Sequence, residues 1–389
     1  MEILATRNEG AVNAGGAVPA RMRAAVYHRP GSPFSLEEVD TPGIRPSEVL
    51  VKVHACGVIP NLMTILENFH NFPTMHAPKL PAIYGLDAAG EIVAKGELVH
   101  EFEIGDRVYV NPARTCGSCR NCRLDREYAC DYFALNGYFG MGPKAAQTLA
   151  DHPYGAFAEY MPAPQSSLVK LPDNLSFNTV VRFGYFGTAY SAIRQGGVNM
   201  STTLLVNGAT GTLGLGAVAF GLGLGVPKIL AVGRDPALLE KLKSLAPHRI
   251  ETHSTRESMS VEEWARELTD GAGADVVFDA LPTGASTDAF MGALAALARG
   301  GRHVNASGVY GNIPIDPLEG VIAVRTMISS NWFSTAEGQQ MADLVGSGVV
   351  DLGFLEHEVF ALDDINKALP AMTSRHGGFT NFVISPLRI

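Results

Sequence analysis

No segment constrains this chain more tightly than TLLVNGATGTLGLGAVAFGLGL, from Thr203 to Leu224. An apolar strand runs straight into Gly208-Ala-Thr210-Gly211-Thr212-Leu213-Gly214, and a helix opens from that turn. A phosphate needs bare backbone amides at a helix N-terminus, and side chains there would block its approach. The signal is specific because of its setting. KILAVG, PALLEKLKSL, WARELTD, DVVFDAL, AFMGALAAL and GRHVNASG follow as alternating strands and helices, the pattern of a parallel sheet covered on both faces. The stretch from Thr203 to Pro227 is uncharged and long enough to suggest a membrane span. Its seven glycines, Asn207 and the closing Pro227 fit a buried strand–loop–helix instead. At the end of the next strand stand Gly233, Arg234 and Asp235. A small residue followed by Arg leaves room and positive charge for a 2′-phosphate, which favours NADP, while Asp235 keeps NAD open.

Four of the five cysteines crowd into one loop, Cys116, Cys119, Cys122 and Cys130, spaced C-x2-C-x2-C-x7-C. Four thiolates in a tight loop match tetrahedral zinc with no open position, hence one structural zinc per chain. Iron–sulfur is the rival metal. Clustered reduced thiols point to the cytoplasm.

The rest reads as a second domain. AAVYH, LEEV, VLVKVHACGV, AAGEIVAKG and DRVYV are short Val-rich strands bounded by Gly, Pro and Asp, a mostly-β, barrel-like region. NLMTILENF is its clearest helix, and FTNFVISP near the C-terminus reads as a strand rejoining it. The expected organisation is a flexible leader over 1–21, a barrel over 22–180 and 332–389 with a metal lobe at 112–132, and a dinucleotide domain over 181–331. Length agrees, since 389 residues suit two domains. Net charge is −9, with 30 basic against 39 acidic residues. That balance forces no basic face and argues against nucleic acid as a partner. No secretory pattern and no membrane segment is read.

Taken together, VKVHACGV, GLDAAGEIV, GDRVYV, the cysteine lobe, GAFAEY, GTAYSAI and GATGTLG resemble the medium-chain dehydrogenase/reductase superfamily, zinc-containing alcohol dehydrogenase type. The resemblance covers nearly the whole chain from Met22. It implies an α/β fold: a GroES-like β-barrel catalytic domain plus a Rossmann-type doubly wound parallel sheet, with substrate and nicotinamide meeting between them. It also implies a homodimer or homotetramer acting on a small molecule. The departures are informative. The family's three catalytic-zinc ligands fall at Ile59, Leu86 and Gly184, none of which can hold zinc.

Without a Lewis acid the developing anion must be held by hydrogen bonds. Hydride delivery to a conjugated C=C leaves an enolate, less basic than an alkoxide, so the expectation is an NADPH-preferring reductase of enone-type or other activated acceptors. The alternatives are an alcohol dehydrogenase with a metal-free proton relay and a non-catalytic cofactor-binding paralogue. The resemblance puts Asn61 where zinc enzymes place a hydroxyl against the substrate oxygen; a turn-capping role is the plain alternative. It puts Thr188, Ser307, Gly308 and Ser329 near the nicotinamide. Tyr185 is read as an acid or a pocket wall. Asp87 is read as a fastener of the domain seam or a base. His54, His70 and His76 are read as structural.

Overall fold

The computed structural model describes residues 18–69 and 74–387. Most of the expected leader and His70 therefore lie outside the described residues; β1 begins at Arg21.

The first half forms β1 (Arg21–Tyr27), β2 (Ser35–Asp40), β3 (Glu48–Gly57), α1 (Leu62–Asn68), β4 (Ala82–Ile83), β5 (Asp87–Lys95), β6 (Arg107–Val110), β7 (Ala113–Arg114), β8 (Ala134–Leu135), β9 (Phe139–Gly140), α2 (Ala145–Asp151), β10 (Tyr160–Pro164), β11 (Leu168–Lys170) and α3 (Phe177–Val180). Next come α4 (Phe183–Gln195), β12 (Thr203–Asn207), α5 (Thr212–Gly223), β13 (Lys228–Gly233), α6 (Pro236–Lys243), β14 (Ile250–Ser254), α7 (Val261–Glu267), β15 (Ala274–Asp279), α8 (Thr287–Ala295), β16 (Leu297–Asn305), α9 (Pro317–Ala323) and β17 (Thr326–Ser329). The chain closes with α10 (Thr335–Gly346), β18 (Glu356–Ala361), α11 (Ile365–Ser374) and β19 (Thr380–Ser385).

The barrel sheet runs β11-β6-β5-β3-β19-β18, with β10 also on β3. β3 has no exposed residue, because β5, β10 and β19 all pair with it and both its faces are packed. The FTNFVISP segment thus returns to the first domain, with Ile384 opposite Cys56.

The second sheet is parallel, in the order β14-β13-β12-β15-β16-β17. Its chain order reverses beside β12, and the crevice outside the strand ends at such a reversal is where α/β sheets bind ligands. Leu204, Leu205 and Val206 of β12 are wholly buried, as expected of a strand covered on both faces. α5 buries nine of its twelve residues, apolar all round, so it can only lie inside. No helix among the described residues is long and apolar enough to cross a membrane.

The structure shifts one helix. The run expected over WARELTD starts earlier, at Val261, because Ser260 and Glu263 form a reciprocal capping box. It ends at Glu267, and Asp270 takes a left-handed φ of 50°.

Candidate active site

Leaving β12, Gly208 adopts φ +84° and its amide donates to Val232 O. A Cβ at Gly214 would lie 2.3 Å from Gly208 O, so the turn closes only with glycine there. Gly211 is the residue before α5, and no side chain caps the helix. The first amides of α5 are left open toward the turn, at the positive end of the helix dipole. The buried Thr212 Oγ1 has no partner among the described residues. Bare amides, an orphaned hydroxyl and a glycine-lined approach together fit a pyrophosphate. Arg234 is exposed just beyond β13, and Gly233 lies beneath Thr210 Oγ1.

After β16, Ser307 N and Oγ both donate to Asn305 Oδ1. Gly308 N donates to Leu281 O. Ser329 ends β17 and is exposed. The buried Thr188 hydroxyl donates back to Gly184 O at 2.9 Å.

Asn61 stands at the capping position of α1, yet its side chain caps nothing. Its Oδ1 accepts two hydroxyls instead, Tyr138 at 2.8 Å and Tyr185 at 3.0 Å. Because the oxygen is occupied twice, the amide is fixed with Nδ2 as its free end; Nδ2 has no acceptor among the described residues. Burial pushes both tyrosine hydroxyls well up, so both keep their protons at neutral pH. Arg375 opposes that push on Tyr185. Tyr138 and Arg375 were not singled out from the sequence, since neither sits in a recognisable local pattern.

Beneath Tyr185, Asp87 is buried. Its Oδ1 accepts the Tyr109 hydroxyl at 2.6 Å, and its carboxyl also takes the Gly184 amide. Burial pushes this carboxyl up to about 7 against the pull of Tyr109 and Arg182. Arg182, also buried, donates Nη2 to Gly378 O and Thr380 O. Asp87 thus links the barrel to the first turn of α4.

Ile59 and Leu86 lie in the barrel core at 5% and 3% exposure. A Cβ on Gly184 would come within 2.2 Å of Asp87 Oδ1, so the carboxylate fills the space a side chain would need. His54 pairs with Glu91 and packs on Phe177. His76 bridges by its backbone to Gly140.

In the lobe, Cys119–Cys122 and Cys116–Cys130 sulfur pairs are 3.6 Å apart, and all four sulfurs fall within 4.8 Å. A tetrahedron with 2.3 Å bonds has edges of about 3.8 Å. The quartet therefore fits one zinc, and it is the one group of three or more metal-ligating side chains among the described residues.

Residues 45–173 match the family described as alcohol dehydrogenase GroES-like domain, and residues 212–347 the family described as zinc-binding dehydrogenase. The chain is 32% identical to a sorbitol dehydrogenase of Bacillus subtilis over 289 residues, 73% of this chain and 74% of that protein. It is 30% identical to an alcohol dehydrogenase of Geobacillus stearothermophilus over 354 residues, 90% and 96% of the two chains. The solved structure of a protein named AibC superposes with a TM-score of 0.81 at 26% identity, covering 95% of this chain and 97% of that one.

Proposed function

Because the chain belongs to the medium-chain dehydrogenase/reductase superfamily, on its zinc-type alcohol dehydrogenase-like side, and is an NAD(P)-dependent oxidoreductase, we propose that it reduces an activated C=C or C=O with NADPH and without a catalytic zinc. The carrying observation is Asn61, whose amide is held by two tyrosine hydroxyls so that it offers a donor, not a base. Ile59, Leu86 and Gly184 support the same reading, since the three positions offer no ligand atom.

Gly208, Thr210, Gly211, Thr212, Leu213 and Gly214 would hold the pyrophosphate, and Gly233 with Arg234 the 2′-phosphate. Bound NADPH supplies the hydride. Asn61 Nδ2 donates to the oxygen on which charge develops, and a donor so placed stabilises an enolate more readily than an alkoxide. Tyr185 and Tyr138 hold their protons, fix the amide and exclude water from its oxygen. Thr188 packs beside the nicotinamide. Asp87 is a positioning residue that anchors α4 from below. The cysteine quartet would hold one structural zinc, and the absence of disulfides among the described cysteines suits a reducing compartment, which supports the cytoplasm.

A panel of conjugated enones and aldehydes, followed by NADPH absorbance, tests the proposal. Enones should turn over fastest, and NADH should serve less well. Aldehyde reduction outrunning every enone would favour the second reading, carbonyl–alcohol interconversion, which the names of the sorbitol and alcohol dehydrogenase relatives support.

We place a second copy of the chain against β17. That strand is one edge of the parallel sheet, and α9 beside it buries none of its residues. Tyr310, Leu318, Val321, Ile322, Val324 and Met327 are all exposed there. An apolar open edge is a pairing surface, and a twofold axis makes it self-complementary. The mass in solution should be twice the 41.3 kDa chain, or a multiple of that pair. Val321→Asp should shift it toward monomer. A wild-type monomer at micromolar concentration would remove the assignment.

A further inference from the structure

The turn after α11 carries a histidine from the barrel domain to the ribose end of the nucleotide cradle. Gly378 N donates to Thr210 O at 2.9 Å. A Cβ on Gly378 would sit 2.6 Å from Gly211 C and Thr212 N, so only glycine permits this approach. Gly377 has φ +74°, and its Cβ would meet Leu238 at 2.7 Å. The two glycines bring His376 Nε2 to 3.0 Å from Asp235 Oδ2.

Asp235 cannot turn away from this end of the cleft. Its Oδ1 caps α6, accepting Ala237 N at 2.9 Å and Leu238 N at 3.1 Å. A carboxylate fixed two residues beyond Gly233 repels a 2′-phosphate unless a positive group or a hydrogen-bond donor occupies it. Two of the nearby cations have other partners. Arg375 faces Tyr185, and Lys241 pairs with Glu356. Arg234 is free to meet the phosphate, and Arg256 follows β14, its amide on Ser254 Oγ, which donates to Arg234 O.

We infer that His376 is a specificity-determining residue for the cofactor: its ring N–H donates to Asp235 Oδ2, occupies the carboxylate oxygen that would otherwise face a 2′-phosphate, and lets the site accept that group. It is a positioning residue acting through Asp235. The inference rests on the NADP reading of Gly233 and Arg234.

Titration of the whole protein with NADPH and with NADH, by calorimetry, separates the possibilities. His376→Ala should raise the Kd for NADPH roughly tenfold and leave the Kd for NADH within about twofold. Asp235→Asn keeps a capping side chain. Added to His376→Ala, it should restore NADPH binding to within about threefold of wild type. Arg234→Ala should weaken NADPH alone, whatever His376 does. If His376→Ala leaves the ratio of the two dissociation constants unchanged while wild type prefers NADPH, the role of His376 is overturned and the NADP reading survives. If the double variant stays as weak as His376→Ala, action through Asp235 is overturned. If wild type binds NADH more tightly than NADPH, the NADP reading fails and takes this inference with it.

Discussion

Replacing Asn61 by alanine should lower kcat for reduction by roughly a hundredfold to a thousandfold, the usual consequence of deleting a donor aimed at a developing oxyanion. The Kd for NADPH should stay within about twofold, because Asn61 heads α1 in the barrel and the proposed phosphate-binding residues, Gly208 to Gly214, lie on a different element. The effect follows from how the side chain is held. A capping asparagine would spend its oxygen on the amides of α1, but this one spends it on Tyr138 and Tyr185. Alanine removes the donor and leaves two buried hydroxyls without their acceptor, so a modest loss of stability should accompany the rate effect. Asn61→Asp separates the two contributions. It keeps an acceptor for both tyrosines, deletes the donor, and should be as slow as the alanine variant. A wild-type kcat in either variant would remove Asn61 from the chemistry.

Asp87→Asn should change the pH dependence of stability more than any other single substitution at this seam. Folded, the Asp87 carboxyl keeps its proton up to about pH 7, since burial outweighs the hydrogen bonds from Tyr109 and Gly184. Unfolded, it releases that proton near pH 4. Between these values unfolding releases a proton, so stability falls as pH rises, by about 1.4 kcal/mol per unit at most. Below pH 4 the contribution vanishes, and above about pH 7 the full cost stands, roughly 4 kcal/mol. Asparagine does not titrate. Urea unfolding of both proteins between pH 4 and pH 8 should show the variant gaining on wild type as pH rises, with most of the change between pH 5 and 7. Parallel curves would show that Asp87 is ionised in the folded protein and that the fastening at α4 is an ordinary carboxylate contact.

The parts of the fold that were legible in the sequence are those written in local pattern. β12, β13 and β15 are built on apolar runs, over 204–206, 229–232 and 276–278, because both faces of a parallel sheet are covered. The glycine turn is legible because bare backbone is a local requirement. The cysteine quartet is legible because its C-x2-C-x2-C-x7-C spacing is local, and the structure brings the four sulfurs within 4.8 Å. What escaped lies in contacts between distant residues. Tyr138 meets Asn61 across 77 residues, and His376 meets Asp235 across 141. No periodicity carries such information, and the resemblance supplied positions for Asn61 and Tyr185 without saying that one holds the other. The short α2 was also unannounced. Its seven residues bury only Ala145, Thr148 and Leu149, too few to print a helical stripe on the sequence.

The account turns on hydride transfer proceeding where aliphatic residues stand in the place of zinc ligands. Metal analysis of pure, active enzyme, paired with turnover before and after exposure to a strong chelator, addresses this most directly. It predicts about one zinc per chain, held by Cys116, Cys119, Cys122 and Cys130, and turnover that does not fall in step with removal of any second ion. Two zincs per chain, with activity lost as the weaker one leaves, would contradict it.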